Sequence, residues 1–364
     1  MLTHYIKNYL SYLPGIVLAL ILYLLSDGIN NVIGSELLGL KKSPISTVMV
    51  AIIIGIIMGN AFIPRPGFKI GLEFTQSYIL KFGIICLGIR LSFDEFIKFG
   101  IIAIPLIITC IISVLVVIKL LIKKFKISSK MSYLIAIGTS VCGATAIVAT
   151  APVINAKKGE VAYAIANITL FGVFSMLIYP YFANLYFDGN SLYAGLFLGT
   201  AIHETSQVAA AGMIYDQQFN SPETLNIATV TKLIRNTFLV VMIPLFGYLY
   251  NRGNPDSNTV SIVKIFPYFV LGFIAMILIR NIGDEVIQVQ GYDEKTWNIF
   301  ISYTRDIAKI CLTMAMAAVG MSTNLSELKE MGYKPFVVGL IAAITVGLVS
   351  ILTMQSVEKI TSLL

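Results

Sequence analysis

The sequence predicts an all-α polytopic membrane protein with about eleven hydrophobic segments, two of them discontinuous helices that cross or re-enter, arranged as inverted repeats. Three observations carry this. Of the 364 residues, 57% are hydrophobic and 12% charged, against roughly 25% charged in soluble proteins. The mean hydropathy is +0.85. The apolar residues also fall into runs close to the ~20 residues a helix needs to cross the hydrocarbon core. Only short loops remain between them, which excludes a soluble catalytic domain. Residues 1–364 therefore form one membrane domain, with approximate halves 1–187 and 188–364.

In chain order the segments are 13–33, 44–62, 72–91, 100–122, 131–153, 160–187, 191–215, 225–250, 262–282, 297–322 and 333–355. The first follows THYIKNYLSYLPG with no small-residue cleavage site, so it reads as a span and not a signal peptide. The fourth ends in KLLIKKFKISSK, whose Lys119, Lys123, Lys124, Lys126 and Lys130 mark a cytoplasmic loop. Counting outward places the N-terminus with Lys7 inside, together with Arg65, Lys69, Arg252, Lys264, Lys329 and Lys334. The acidic loop NIGDEVIQVQGYDEK and the C-terminus fall outside. The expected location is the cell (plasma) membrane. Lys157 and Lys158 lie outside if segment five crosses and inside if it re-enters. Segment seven carries the same ambiguity.

The net charge of +7 sits mostly in loops, where it sets orientation and does not point to nucleic acid. Cys86, Cys110, Cys142 and Cys311 lie in apolar segments without a C-x-x-C pair and read as packing residues. No cofactor is indicated.

Two internal echoes suggest repeats. KFGIICLGIRLSFDEFIKFG (81–100) resembles a stretch ending VGMSTNLSELKEMG (319–332), aligning Gly88 with Gly320, Glu95 with Glu327 and Gly100 with Gly332. Pro105 and Pro335 follow near the start of the next span in each case. The two stretches cross in opposite directions. The second echo pairs GTSVCGATAIVATA (138–151) with GTAIHETSQVAAAG (199–212), aligning Gly138 with Gly199 and Thr139 with Thr200. Chance likeness among small apolar residues is the plainer alternative for both.

Segments five and seven are rich in Gly, Ala, Ser and Thr, as packing faces are. The GxxxG runs GIIMG (55–59) and GLFLG (195–199) are read as packing. They leave a homodimer plausible. Segment seven also holds His203, Glu204 and Gln207 at mid-depth, where ionisable groups line a cavity or site. IHETSQ resembles the H-E-x-x-H zinc motif, but Gln207 stands where the second histidine belongs. The other histidine, His4, lies in the N-terminal tail, so no metal site is assigned. Ser140 or Ser206 with His203 lacks the framing of a serine hydrolase. In segment eight, Lys232 and Arg235 are one turn apart and share a face, with Asn236 beside them. Snorkelling is the plainer reading of Lys232. Broken helices would add amide ends that attract anions. Asn167 and Thr169 are weaker candidates. Arg305, Asp306 and Lys309 read as an interfacial ion pair, and Arg90 with Asp94 and Glu95 as a loop cluster.

Four stretches resemble the YeiH-type family, whose members carry the name sulfate exporter. They are GTSVCGATAIVATAPVINAKKGEVAYAIANITLFG, GLFLGTAIHETSQVAAAG, ATVTKLIR and AMAAVGMSTNLSELKEMGYKP. The family is similar to the cation–proton antiporter and anion transporter superfamily, which implies inverted repeats around discontinuous helices. The resemblance implies a substrate region of Thr139, Ser140, Cys142, Gly143, Thr145, His203, Glu204, Gln207, Lys232 and Arg235. Glu204 is a departure: some relatives carry Asp after the motif histidine.

The expected function is secondary transport, as an exporter, of a small inorganic or organic anion such as sulfite or sulfate. Lys232, Arg235 and the hydroxyls and amides of 139–145 would hold the anion. His203 and Glu204 would couple protons or tune the site, with H+ or Na+ as the coupling ion. The alternatives are a cation–proton antiporter using Glu204 and, further off, a passive channel or an intramembrane enzyme. The lipid bilayer is the expected surrounding, and no enzymatic activity is expected.

Overall fold

The computed structural model describes residues 11–37, 43, 46–62, 66–125, 127–251, 267–290, 294–323 and 333–363. His4, Lys7, Arg65, Lys126, Arg252, Lys264, Glu327, Lys329 and Gly332 lie outside the described residues, as does part of the acidic loop NIGDEVIQVQGYDEK. The described residues are helical, with no strand among them. The helices are α1 (Leu13–Asn31), α2 (Thr47–Ala61), α3 (Pro66–Phe74), α4 (Leu80–Leu87), α5 (Phe93–Phe125), α6 (Ser129–Ser140), α7 (Ala144–Thr150), α8 (Lys158–Tyr186), α9 (Ser191–Ala201), α10 (Thr205–Phe219), α11 (Pro222–Thr237), α12 (Leu239–Asn251), α13 (Phe269–Gln290), α14 (Glu294–Ser322) and α15 (Tyr333–Leu363).

Local chemistry sets several helix starts. The Ser46, Ser128 and Asn190 side chains accept from Met49 N, Met131 N and the Leu192 and Tyr193 amides, satisfying donors a first turn leaves open. Ser92 and Glu95 exchange side-chain bonds to each other's backbone N–H at the start of α5, a capping box. Pro222 opens α11, where its missing N–H does no harm.

Among the described residues, six helical stretches are long and apolar enough to cross a membrane: Leu13–Asn31, Gly67–Arg90, Phe93–Ile122, Gly159–Tyr186, Pro222–Tyr248 and Tyr333–Gln355. The expected eleven segments thus do not all become long apolar helices. Segments 131–153 and 191–215 are each broken into two short helices. Segment 44–62 yields the 15-residue α2. The helices α13 and α14 carry charges, among them Arg280 and Asp284 on the first and Arg305 and Asp306 on the second. On α5, Ile101, Ile108, Ile112, Val116 and Leu120 are exposed, an apolar stripe that suits lipid and not water.

The chain divides into two compact units that interleave along the sequence. One comprises residues 1–96, 213–220 and 268–325. Its core gathers Ala19 and Leu22 of α1, Ala51 of α2, Leu72 of α3, and Met314, Ala317 and Met321 of α14. There α2 and α14 touch backbone to backbone: a Cβ on Gly55 would lie 2.5 Å from the Ala317 carbonyl oxygen, and one on Gly320 2.5 Å from that of Ile52. GIIMG is therefore a packing run, occupied within the chain. The Arg90 guanidinium pairs with Asp216, far from it in the sequence, at 2.9 Å, while Glu95 caps the start of α5. Among the described residues no ion pair joins Asp306 to Arg305 or Lys309.

The other unit comprises residues 97–212, 221–267 and 326–364. GLFLG lies against α11, with Gly195 facing Ile227 and Gly199 facing Thr231. The Thr200 and Ser350 hydroxyls, 2.6 Å apart, link α9 to α15. Asn167 donates to the Pro335 carbonyl at 3.1 Å, which gives it a helix-tying role between α8 and α15.

The glycine contact predicts a contrast. Gly320→Ala forces backbone apart and should destabilise by about 1–3 kcal/mol, as overpacking does. Gly28→Ala, where a Cβ meets nothing within 4 Å, should be neutral or slightly stabilising, since Ala is the better helix former. Melting temperatures of the two variants in detergent measure the difference. Equal melting would mean the α2–α14 contact is not this tight.

Candidate functional site

Within the second unit, the two broken helices set up the site. The first, α6, stops at Ser140; Val141 leaves helical geometry (φ −122°, ψ −87°), and Gly143 takes φ +66° before α7 begins at Ala144. Only glycine adopts that conformation freely. Its missing Cβ also matters, since one would lie 2.5 Å from Glu204 Oε1. The second, α9, stops at Ala201, with Ile202 extended (φ −90°, ψ 139°), and α10 begins at Thr205.

Each break leaves carbonyls without amide partners. Two side chains from α11 take them up. Lys232 Nζ donates to the Val141 carbonyl at 2.7 Å, to that of Ile202 at 3.3 Å and to that of His203. Arg235 donates from Nε to Ser140 O (2.7 Å), from Nη1 to Thr200 O (2.5 Å) and Ile202 O (3.2 Å), and from Nη2 to Thr139 O. Both side chains are fully buried, so Lys232 does not snorkel. Their one-turn spacing lets each cation bridge both breaks. The residues aligned by the second sequence echo share these partners. Thr139 and Thr200 give their carbonyls to the same guanidinium, and Val141 and Ile202, equivalent in that alignment, to the same ammonium.

The positive helix ends meet a carboxylate. Glu204 accepts from Ala144 N, the first residue of α7, at 2.6 Å, and from the Ser206 hydroxyl. Its own carbonyl accepts the Val208 amide at 2.9 Å, so Glu204 also stands at the N-cap of α10. Its side chain serves the other helix. Among the described residues, the Thr205, Ser206 and Gln207 amides consequently open α10 without a protein acceptor.

The structure brings Thr139, Ser140, Cys142, Gly143, His203, Glu204, Lys232 and Arg235 together, with changes of role. Thr139 and Ser140 contribute carbonyls, while the Ser140 hydroxyl has no hydrogen-bond partner. The buried Cys142 sulfur accepts from Ala146 N. His203 is buried with Nδ1 unpartnered. Thr145 is exposed. Gln207 reaches α8, donating to Thr169 O at 3.2 Å, with Oε1 unpartnered. Sequence reasoning missed the Thr205 hydroxyl, which accepts from Asn236 Nδ2 at 3.0 Å, and weighed Ser206 only as a hydrolase serine, not as a partner of the Glu204 carboxylate. Their only signal was a place beside His203 and Glu204. Among the described residues no cluster of His, Cys, Asp or Glu has metal-ligand grouping.

Summed over the site, two cations face one carboxylate. The four helix ends, about ±0.5 charge each, cancel among themselves. With these side chains in their ordinary charge states, one positive charge is left over. The carbonyl contacts predict the outcome of two substitutions. Arg235→Ala strands the Thr139, Ser140 and Thr200 oxygens at roughly 1–3 kcal/mol each, a large part of a stability of about 5–15 kcal/mol. It should abolish the monodisperse size-exclusion peak. Arg235→Lys, which keeps the charge but loses the planar fork, should recover only part of it. An Arg235→Ala protein as stable as wild type would contradict the assignment.

The comparisons with known proteins agree with one another. The family described as conserved hypothetical protein 698 matches residues 14–339. A UPF0324 membrane protein of Streptococcus agalactiae is 36% identical over 347 residues, covering 95% of this chain and 97% of the relative. One from Fusobacterium nucleatum is 35% identical, covering 86% and 90%, and one from Clostridium tetani 31% identical, covering 96% and 98%. No solved structure matches the chain. With its several apolar spans, this chain is a multi-pass membrane protein and belongs to the UPF0324 (conserved hypothetical protein 698) family.

Proposed function

We propose that the chain is a secondary transporter of a small anion, sulfite or sulfate being the first candidates, with the substrate taken up where α6–α7 and α9–α10 break. The observation that carries this is the set of open amides of α10 at the breaks, beside the buried side chains of Lys232 and Arg235. Helix N-termini with free amides are ready anion sites, and transporters place broken-helix ends at their substrates. The reading differs from the sequence expectation in one respect. The donors of Lys232 and most of those of Arg235 are engaged by carbonyls, so these residues hold the helix ends together and supply field. The anion itself is met by amides and by the polar groups nearby, His203 and the Ser140 hydroxyl among them. The shared partners of the echoed residues support the inverted-repeat relation and the superfamily resemblance.

Glu204 occupies an amide that an anion also favours, which makes it the natural coupling group for H+ or Na+. A second reading rests on that residue. As a carboxylate set between the two breaks, where it accepts from Ala144 N, Glu204 would suit a cation–proton antiporter.

Counterflow in proteoliposomes separates the two. The anion reading predicts saturable exchange of labelled sulfite or sulfate that varies with pH in wild type. In Glu204→Gln the exchange persists but loses that pH dependence, since the amide can still accept from Ala144 N. No exchange of either anion, together with Na+-dependent internal pH changes that vanish in Glu204→Gln, would sink the anion reading in favour of the antiporter.

A further inference from the structure

A second feature lies away from the breaks, at the turn between α8 and α9. The 29-residue α8 ends at Tyr186. Asp188 and Gly189 then take φ +50° and +76°. Backbone bonds close the turn, from Gly189 N to Asn184 O (3.0 Å) and from Asn190 N to Phe187 O (2.9 Å). Aspartates in such turns usually bond their own backbone. Here the carboxylate does not, and it has no ion-pair or hydrogen-bond partner among the described residues.

This carboxylate lines a cavity of about 260 Å³. Tyr186, Phe187 and Tyr193 supply aromatic rings to the wall. The Phe187 ring stands at 86° to Tyr186, 5.0 Å between centroids, and at 40° to Tyr193, 6.0 Å away, while Tyr186 also stacks on Phe182 at 5.5 Å. Gln355 of α15 completes it, donating to the Tyr186 hydroxyl at 2.6 Å. Among the described residues, no Lys or Arg lines the cavity.

The chemistry of this lining selects its occupant. The Asp188 carboxylate favours a cation, while the negative end of α8 and the positive end of α9, which both border the cavity, offset one another. Aromatic faces attract ammonium groups, most of all alkylated ones. A hard metal ion wants several oxygen ligands, and the wall offers one carboxylate. The volume lies below the ~300–1,000 Å³ of drug-sized sites, which suits a small headgroup. We propose that this cavity binds an organic ammonium group of the choline or ethanolamine type, carried either on a free compound or on a membrane lipid.

The full chain in phosphatidylglycerol nanodiscs, tested with radiolabelled choline, addresses the free compound. Wild type should bind choline saturably. Asp188→Asn should weaken binding by roughly tenfold, and because Asn tolerates a left-handed backbone the turn is kept. Tyr186→Leu should weaken it through the ring, with an unchanged size-exclusion profile as the folding control for both. Reconstitution in mixed phosphatidylglycerol and phosphatidylethanolamine followed by native mass spectrometry addresses the lipid. Retention of the ethanolamine lipid by wild type and its loss in Asp188→Asn would assign the cavity to a headgroup. Choline binding without such retention would assign it to a free ammonium compound. If neither ligand binds, or if Asp188→Asn leaves both unchanged, the proposal is overturned.

Discussion

The contact on which the second unit depends is the capture of six backbone carbonyls by two buried cations. Interrupting two helices inside an apolar protein exposes groups that neither lipid nor side-chain packing can satisfy. Lys232 and Arg235 meet that demand from one turn of one helix. The exchange is mutual. Two charges that would be very unfavourable alone in a dry interior are solvated by the carbonyl ends, and those ends are held together by the charges.

Other features of that unit follow from this contact. Because α9 must bring its last turn to α11, it lies close against it at Gly195 and Gly199. Because α6 must end beside α9, the chain turns through Gly143, and the space its absent Cβ leaves is filled by Glu204. The carboxylate then closes the opposite end of the arrangement at Ala144 N. Carbonyl ends meet cations and an amide end meets an anion, so electrostatics and hydrogen bonding agree at each end. The exception is the first turn of α10, whose own N-cap residue serves α7. That unmet donor set is why the proposed substrate is an anion.

Burial also changes what polar residues at the breaks can do. Had Lys232 and Arg235 faced an aqueous cavity, their donors would be available to a substrate. Fully enclosed, they act as fixed parts of the backbone's hydrogen-bonding system, and specificity passes to groups with spare capacity such as His203, Ser140 and the α10 amides.

The membrane class was legible from composition, because a bilayer demands long apolar runs whatever their arrangement. The breaks were legible too. Small residues crowd segments five and seven, and ionisable side chains sit at the depth of His203 and Glu204. What pattern could not supply is direction. Thr139 and Ser140 were credited with hydroxyl chemistry, yet they act through carbonyls, and a carbonyl is common to every residue type. Lys232 and Arg235 were correctly placed on one face, but whether that face met solvent, ligand or backbone depended on helices distant in sequence. Arg90 likewise pairs with Asp216, a residue far from it in the sequence. The sequence by itself determined which residues are apolar, which are charged and where a helix cannot continue, because these are local properties. Only the tertiary structure decided which oxygen each buried donor reaches, because hydrogen bonds at a helix break are made between segments that share no sequence neighbourhood.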